Sequence, residues 1–562
     1  MVFTLGSFVL VTVAVAFVSW LKTKGTDETS KDGYFLGGRS LSGLVIFGSL
    51  MMTNLSAEQL VGRNGQGYAA GMTAIGWDSM SPIALTLMAL FFIPKYFKLG
   101  ISTIPEFLES RFDRATRVIV SFIFLVAYIV TMLPLVLYAG SVAMERIFGI
   151  TALMGGNRFM ATTVMCVALG IIGGIYAIFG GLKAVAVSDS LNGIIFIIGA
   201  VILIPVLAFI ALGDGSIAEG IRIFATSSPE HLNAIQPANA QPPYIPWPMI
   251  VLGCGINHIS YWCTNQSIMQ RVLGAKNLKE AQKGAVFAGF LKIMTPLIIV
   301  VPGVICALAY PGTDWGSGDS AYPMLVAQVM PKPILGFFAA VMFGAILSSF
   351  NSVLNSASTI YALDIHRPLF NPTASDARMV KIGQNFGTVV AVVSTIMSPF
   401  MLYMGGITSF VNSAFAAFNT PIFVCLLCGF FWKKVPAIAA KIVIPVHVVL
   451  YFILQFGLRN VIPFLNNIHY LYFTAILFVF DMILMWVIVK KHPREKDFEL
   501  KDVGAVDLTP WHNGKIWATV TLIIMCLAYV IFSPLGFGKS EKTTYQNYLE
   551  NQTTASVSDS VQ

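Results

Sequence analysis

Between positions 53 and 67 the chain reads TNLSAEQLVGRNGQG, directly after the apolar run LVIFGSLMM. Asn54, Ser56, Glu58, Gln59, Arg63, Asn64 and Gln66 are amides, hydroxyls and charges set where lipid-facing residues are expected. Groups of this kind recognise a hydroxylated or charged solute by hydrogen bonds. A second polar interruption, GCGINHISYWCTNQ, occupies 253–266, and Asp78 and Ser81 lie one turn apart in GWDSMSP. Lys292 stands alone in FAGFLKIMTPLIIVVPG. An unpaired ammonium in hydrocarbon costs several kcal/mol, so it needs Asp78, Glu58 or a hydroxylated ligand as acceptor. Otherwise its stem must snorkel to the interface about two turns away. In GAILSSFNSVLNSASTIYALD the adjacent hydroxyls of Ser348 and Ser349, with the carbonyl of Ala345, form an oxygen set suited to Na+. Small-residue helix packing would produce the same composition.

The elements that must position these residues are membrane helices. Of 562 residues 56% are hydrophobic and 11% charged, with a mean hydropathy of +0.76, against about 25% charged in soluble chains. Fourteen segments are long enough to cross a bilayer, at 2–21, 42–70, 72–97, 116–148, 160–180, 182–213, 247–270, 284–310, 334–365, 379–404, 406–432, 436–457, 468–489 and 516–537. The expected protein is all-α and polytopic. The seven cysteines lie within apolar segments, and Cys425 and Cys428 read as helix packing rather than redox or zinc chemistry.

Alternating the loops places 26 of the 35 Lys+Arg on one side and seven on the other, with Arg63 and Lys292 inside segments. By the positive-inside rule both termini lie outside the cytoplasm of a multi-pass plasma-membrane protein. The net charge of +8 is therefore topological, and no nucleic-acid partner is expected. Residues 101–114 read as an interfacial helix, and the polar stretch after 541 as disordered.

Irregular backbone at membrane depth survives only where it faces protein or a water-filled cavity. Gly62, Gly65 and Gly67 would ease unwinding of the first interrupted segment. The two interrupted segments are the second and the seventh, so each opens a block of five. Breaks in corresponding places of two halves point to a transporter site at the midplane. No paired nucleophile and base and no H-E-x-x-H spacing occurs, so an enzyme is not expected.

At these residues the chain resembles the sodium/solute symporter family, in particular its sodium/galactose and sodium/glucose cotransporter-like branch. The motifs that carry the likeness are NLSAEQLVG (54–62), GYFLGGRSL (33–41), TIPEFLESRFD (103–113), GGLKAVAVSD (180–189), QRVLGAKNLKEAQKG (270–284), SSFNSVLNSASTIYALDI (348–365) and FFWKK (430–434). The resemblance implies a LeuT-type 5+5 inverted repeat. It also implies Na+ ligands at Ala345, Ser348 and Ser349 with backbone oxygens near Met52 and Leu55, and an associated acid at Asp189. Sugar-contacting positions look like Gln59, Asp78, Ser81 and Lys292, with Tyr261 as the closing ring. Departures separate the pocket from the galactose pattern. Asp78 replaces a glutamate, His258 an asparagine, Asn412 a glutamine, and Arg63 an apolar gate residue. His258 is read either as a ligand contact or as the partner of a freed carbonyl, and Arg63 as lining the outer vestibule.

The resulting expectation is Na+-coupled symport of a small polyhydroxy solute, a hexose or related sugar, with a monomer in lipid sufficient for transport. A sugar acid or polyol carried with Na+ or H+ remains an alternative, as does a nutrient sensor or channel-like leak. The expected divisions are an extra helix at 1–24, repeats at 40–214 and 247–432, and an external loop at 215–246. Additional helices follow at 433–540 with a cytoplasmic loop at 490–515, then a polar tail at 541–562.

Overall fold

The computed structural model describes residues 2–25, 28–241, 243–310, 318–403, 407–466 and 468–559. Among them the regular elements are all helical, with isolated bridges at Leu41–Ala275 and Gln236–Pro246 as the sheet-type pairing. Only a helix satisfies its own backbone within hydrocarbon, which explains the uniformity. Eleven described helices are long and apolar enough to span a membrane, and Gly43–Asn54 and Phe415–Phe431 are shorter apolar ones. The expected fourteen are not reached on that measure: the segments expected at 42–70 and 247–270 are broken, and Phe415–Phe431 is the described part of the longer helix Ile407–Phe431.

The first break is sharper than the sequence suggested. Helix Gly43–Asn54 ends at Leu55 (φ −81°, ψ 72°), and Ser56 caps the new helix Ala57–Ala70 by accepting from the Gln59 N–H at 3.3 Å. Gly62, Gly65 and Gly67 stay helical, contrary to the expected unwinding. Their smallness serves packing instead. A Cβ on Gly67 would lie 2.6 Å from the Val300 carbonyl, and one on Gly303 would lie 2.0 Å from that of Asn64.

The second break also moves. Most of GCGINHISYWCTNQ forms the continuous helix Gly253–Thr264, and the chain turns at Asn265 (φ −69°, ψ 126°) before helix Gln266–Leu273. Tyr128 donates to Asn265 Oδ1 at 2.8 Å from a π-helical turn at Ala127–Met132. The two broken segments meet end to start. Leu41 N–H bonds the Gly274 carbonyl at 3.1 Å, and Lys276 N–H bonds the Leu41 carbonyl at 3.0 Å. Gln270 then ties this end to helix Lys332–Thr359 through Asn355 (2.8 Å), Thr359 (2.7 Å) and Ser356 (2.7 Å).

The short helix Ile104–Arg111, read as interfacial, packs Ile104, Pro105, Phe107, Leu108 and Arg111 into the protein and leaves Ser110 exposed. Arg111 is fully buried and donates to the carbonyls of Gly429 (2.8 Å), Trp432 (2.8 Å) and Val435 (3.1 Å). Those carbonyls lie at the end of helix Ile407–Phe431, so the guanidinium caps it. Arg111→Met is expected to destabilise the protein by about 3 kcal/mol, as several charge-assisted bonds vanish at once. Thermal unfolding in detergent would check this, and an unchanged midpoint would remove the capping role. The C-terminal tail likewise differs from its expected disorder. It forms helix Thr544–Asp559, and Tyr545 packs 5.3 Å from Tyr244 while its N–H bonds Gln236 at 3.1 Å.

Candidate functional site

The break after Asn54 opens onto a cavity of about 110 Å³. The broken segment contributes Thr53, Asn54, Ser56, Gln59 and Arg63, and helix Gly253–Thr264 contributes Asn257, His258 and Tyr261. Ser349 and Asn419 close it from two further helices, with Trp77, Phe415 and the apolar Met132, Leu135 and Val136 as walls.

Several of these polar groups have no hydrogen-bond partner within the protein. Asn54 Oδ1 and Gln59 Oε1 are such acceptors, and Trp77 Nε1 and Asn419 Nδ2 are such donors. A buried polar atom left unpaired costs about 1–3 kcal/mol, so the set is stable only when something in the cavity bonds it. Donors and acceptors that line one cavity suit a molecule whose hydroxyls can do both.

The charged residues cluster beside the cavity. Lys292 Nζ lies 2.8 Å from Asp78 Oδ1, and both residues are buried. Of the acceptors open to Lys292 in the sequence, Asp78 is therefore the one it meets. The side chain of Glu58 lies outside the described residues. Arg63 Nε stands 3.7 Å from Asp78 Oδ2, so the residue read as lining an outer vestibule belongs to the same ionic group. Arg63 is only 8% exposed, donates to Gln66 Oε1 at 3.0 Å, and lies 5.0 Å above the Trp77 ring.

Of the two readings made of His258, the structure shows the partner of a freed carbonyl. Its Nε2 bonds the Trp77 carbonyl, freed in the irregular stretch before Asp78, and its Nδ1 lies 3.1 Å from Ser81 Oγ. Since a carbonyl only accepts, Nε2 carries the proton, and Ser81 can donate to Nδ1 in the neutral ring. Tyr261 lines the cavity with its ring edge-on to Trp262, at 5.5 Å and 81°. Gln59, His258 and Tyr261 thus share the cavity, whereas Asp78, Ser81 and Lys292 lie behind Arg63 and His258. The side chain of Asn412 falls outside the described residues.

On the cation side, Ser349 Oγ approaches the Met52 carbonyl at 3.4 Å and the Thr53 carbonyl at 3.5 Å. Thr53 Oγ1 meets Ser352 Oγ at 2.9 Å, adding a hydroxyl pair that the sequence reading did not single out. Ala345 is fully buried on the same helix. Ser348 points elsewhere, interacting electrostatically with Asp189 but outside hydrogen-bond geometry. Asp189 Oδ2 accepts from Ser49 at 2.7 Å. Asn257 and Asn419 were also passed over. The only signal for Asn419 is a lone amide inside AAFNTPIF, which by itself is indistinguishable from a packing residue.

The family model described as the Sodium:solute symporter family matches residues 34–442. The chain is 40% identical to the uncharacterized symporter YidK of Escherichia coli K12, across 94% of this chain and 91% of that one. It is 31% identical to the sodium/glucose cotransporter of Vibrio parahaemolyticus (81% and 85% covered). With the sodium/myo-inositol cotransporter of Bos taurus it shares 29% (87% and 73% covered). Among solved structures, a Na+-coupled sialic acid symporter in its outward-open state superposes with a TM-score of 0.74 at 20% identity, covering 88% of this chain and 99% of that chain. Mhp1, a nucleobase-cation-symport-1 transporter, gives 0.53 at 13%, covering 87% and 99%. The fold is that of the LeuT-type symporters.

Proposed function

The chain belongs to the sodium:solute symporter family, and on that premise we propose that it imports a small polyhydroxy solute of the sugar class with Na+ by alternating access. It is a multi-pass membrane protein and a sodium-coupled secondary transporter, not an enzyme. The observation that carries the sugar reading is the cavity's unpaired donors and acceptors, at Asn54, Gln59, Trp77 and Asn419, sharing one space with Ser349. The relatives named for glucose and myo-inositol support the same solute class.

The coupling ion would bind at the first break. Oxygens about 2.3–2.6 Å from a hard cation, and at right angles to each other, are about 3.3–3.7 Å apart. The spacing of Ser349 Oγ from the Met52 and Thr53 carbonyls, 3.4 and 3.5 Å, falls in that window and is long for a hydroxyl hydrogen bond. Ala345 and the backbone at Leu55 would complete the set, with Ser348 and Asp189 on its inner flank. Na+ held here would fix helix Gly43–Asn54 against helix Lys332–Thr359 and so shape the cavity that meets the solute. One helix bundle would rock against the other to expose the site inward, in a chain divided into repeats at 40–214 and 247–432. Both termini would lie outside the cytoplasm of a plasma-membrane protein, and one chain holds a whole site.

The energetics suffice. One Na+ entering down about 100 mV releases about 2.3 kcal/mol, and a tenfold gradient adds about 1.4 kcal/mol. Together these support accumulation of roughly 500-fold for one ion per solute. In proteoliposomes, labelled hexoses and hexuronates should accumulate when Na+ is imposed outside, and should not when K+ replaces it. Uptake that follows a proton gradient and ignores Na+ would sink the proposed coupling.

A further inference from the structure

We propose that Arg63 makes the solute site selective for a polyhydroxy solute bearing one negative charge, such as a hexuronate. The inference rests on the sugar-symporter reading above and names the class within it. Asp78 is the one carboxylate in the described ionic group, and Lys292 at 2.8 Å already balances it. Arg63, at 3.7 Å, is a second cation on the same carboxylate. His258 adds no negative charge in either protonation state. The described group therefore carries one positive charge in excess.

That excess faces the solute. Asp78 and Lys292 lie behind the cavity wall, whereas Arg63 is the one permanently charged side chain among the described residues that line it. Its guanidinium is also preset. Gln66 holds Nη1 at 3.0 Å, the Trp77 ring supports the plane at 5.0 Å, and Nε is turned to Asp78 Oδ2 at 3.7 Å. An unbalanced cation at membrane depth is costly. A bound carboxylate would balance it and match the planar fork of the guanidinium, whereas a neutral hexose would leave it uncompensated among the described residues. A dianionic sugar phosphate would instead bring one negative charge too many.

The test is paired uptake of labelled glucuronate and galactose into proteoliposomes under an inward Na+ gradient. It uses the wild type, Arg63→Met and Arg63→Lys, with Na+-induced thermal stabilisation reporting that each variant is folded. Glucuronate should be preferred by about tenfold or more in the wild type, the scale of one charge-assisted pair. Arg63→Met should lose that preference and Arg63→Lys retain part of it. Full preference in Arg63→Met would overturn the role of Arg63. Na+-driven galactose uptake that glucuronate neither matches nor inhibits would overturn the charge selectivity and leave the sugar-symporter reading standing. Na+-driven uptake of neither would overturn both.

Discussion

Asp78→Asn is expected to be the most destabilising single change in the membrane core, and more damaging than Lys292→Met. Removing one partner of a buried ion pair costs about 3–5 kcal/mol, because the other charge is left uncompensated. Here the two halves of the pair are not equivalent. Without Lys292, Asp78 still has Arg63 at 3.7 Å. Without the carboxylate, Lys292 and Arg63 become two buried cations with no described counter-charge. The double variant Asp78→Asn/Lys292→Met should recover part of the loss, since it removes one of those cations. Thermal unfolding of the four purified proteins in detergent would rank them. Equal midpoints for the two single variants would refute the shared-carboxylate arrangement.

Ser349→Ala should produce the largest effect on coupling with a small effect on folding. It deletes the hydroxyl that lies 3.4 Å from the Met52 carbonyl and 3.5 Å from that of Thr53, and it leaves a buried methyl of nearly the same size. Losing one oxygen ligand worth about 1.4 kcal/mol raises the Na+ concentration for half-maximal uptake about tenfold. Solute affinity at saturating Na+ should change far less, because Ser349 only borders the solute space. The Na+ dependence of uptake, together with Na+-induced thermal stabilisation, would separate the two effects. An unchanged half-saturating Na+ concentration would move the ion site away from the break.

The sequence by itself determined the solvent, and through it much of the rest. Long apolar runs require helices, because hydrocarbon offers no partner to an unpaired backbone group. The polar residues at 53–67 and 253–266 then had to face a cavity or a neighbour, and a lone Lys292 had to find an acceptor. The sequence also marked Ser349 and the break near Met52, which the fold brings within 3.4 Å of each other.

Only the tertiary structure decided which groups meet. Asp78 and Lys292 are 214 positions apart, and their contact depends on how two helices are seated rather than on any local pattern. Helix seating also separated Ser349, set against the broken segment at Met52, from Ser348, beside Asp189. It put the turn at Asn265 instead of among the glycines, and brought Asn419 to the cavity wall. Arg63 shows the limit most clearly. Its place in the sequence is that of a gate residue, and only the packing of helix Ala57–Ala70 against Trp77 sets its charge over Asp78. In a membrane every helix is apolar, so composition cannot say which face meets which. Side-chain packing and the pairing of a few buried charges make that choice.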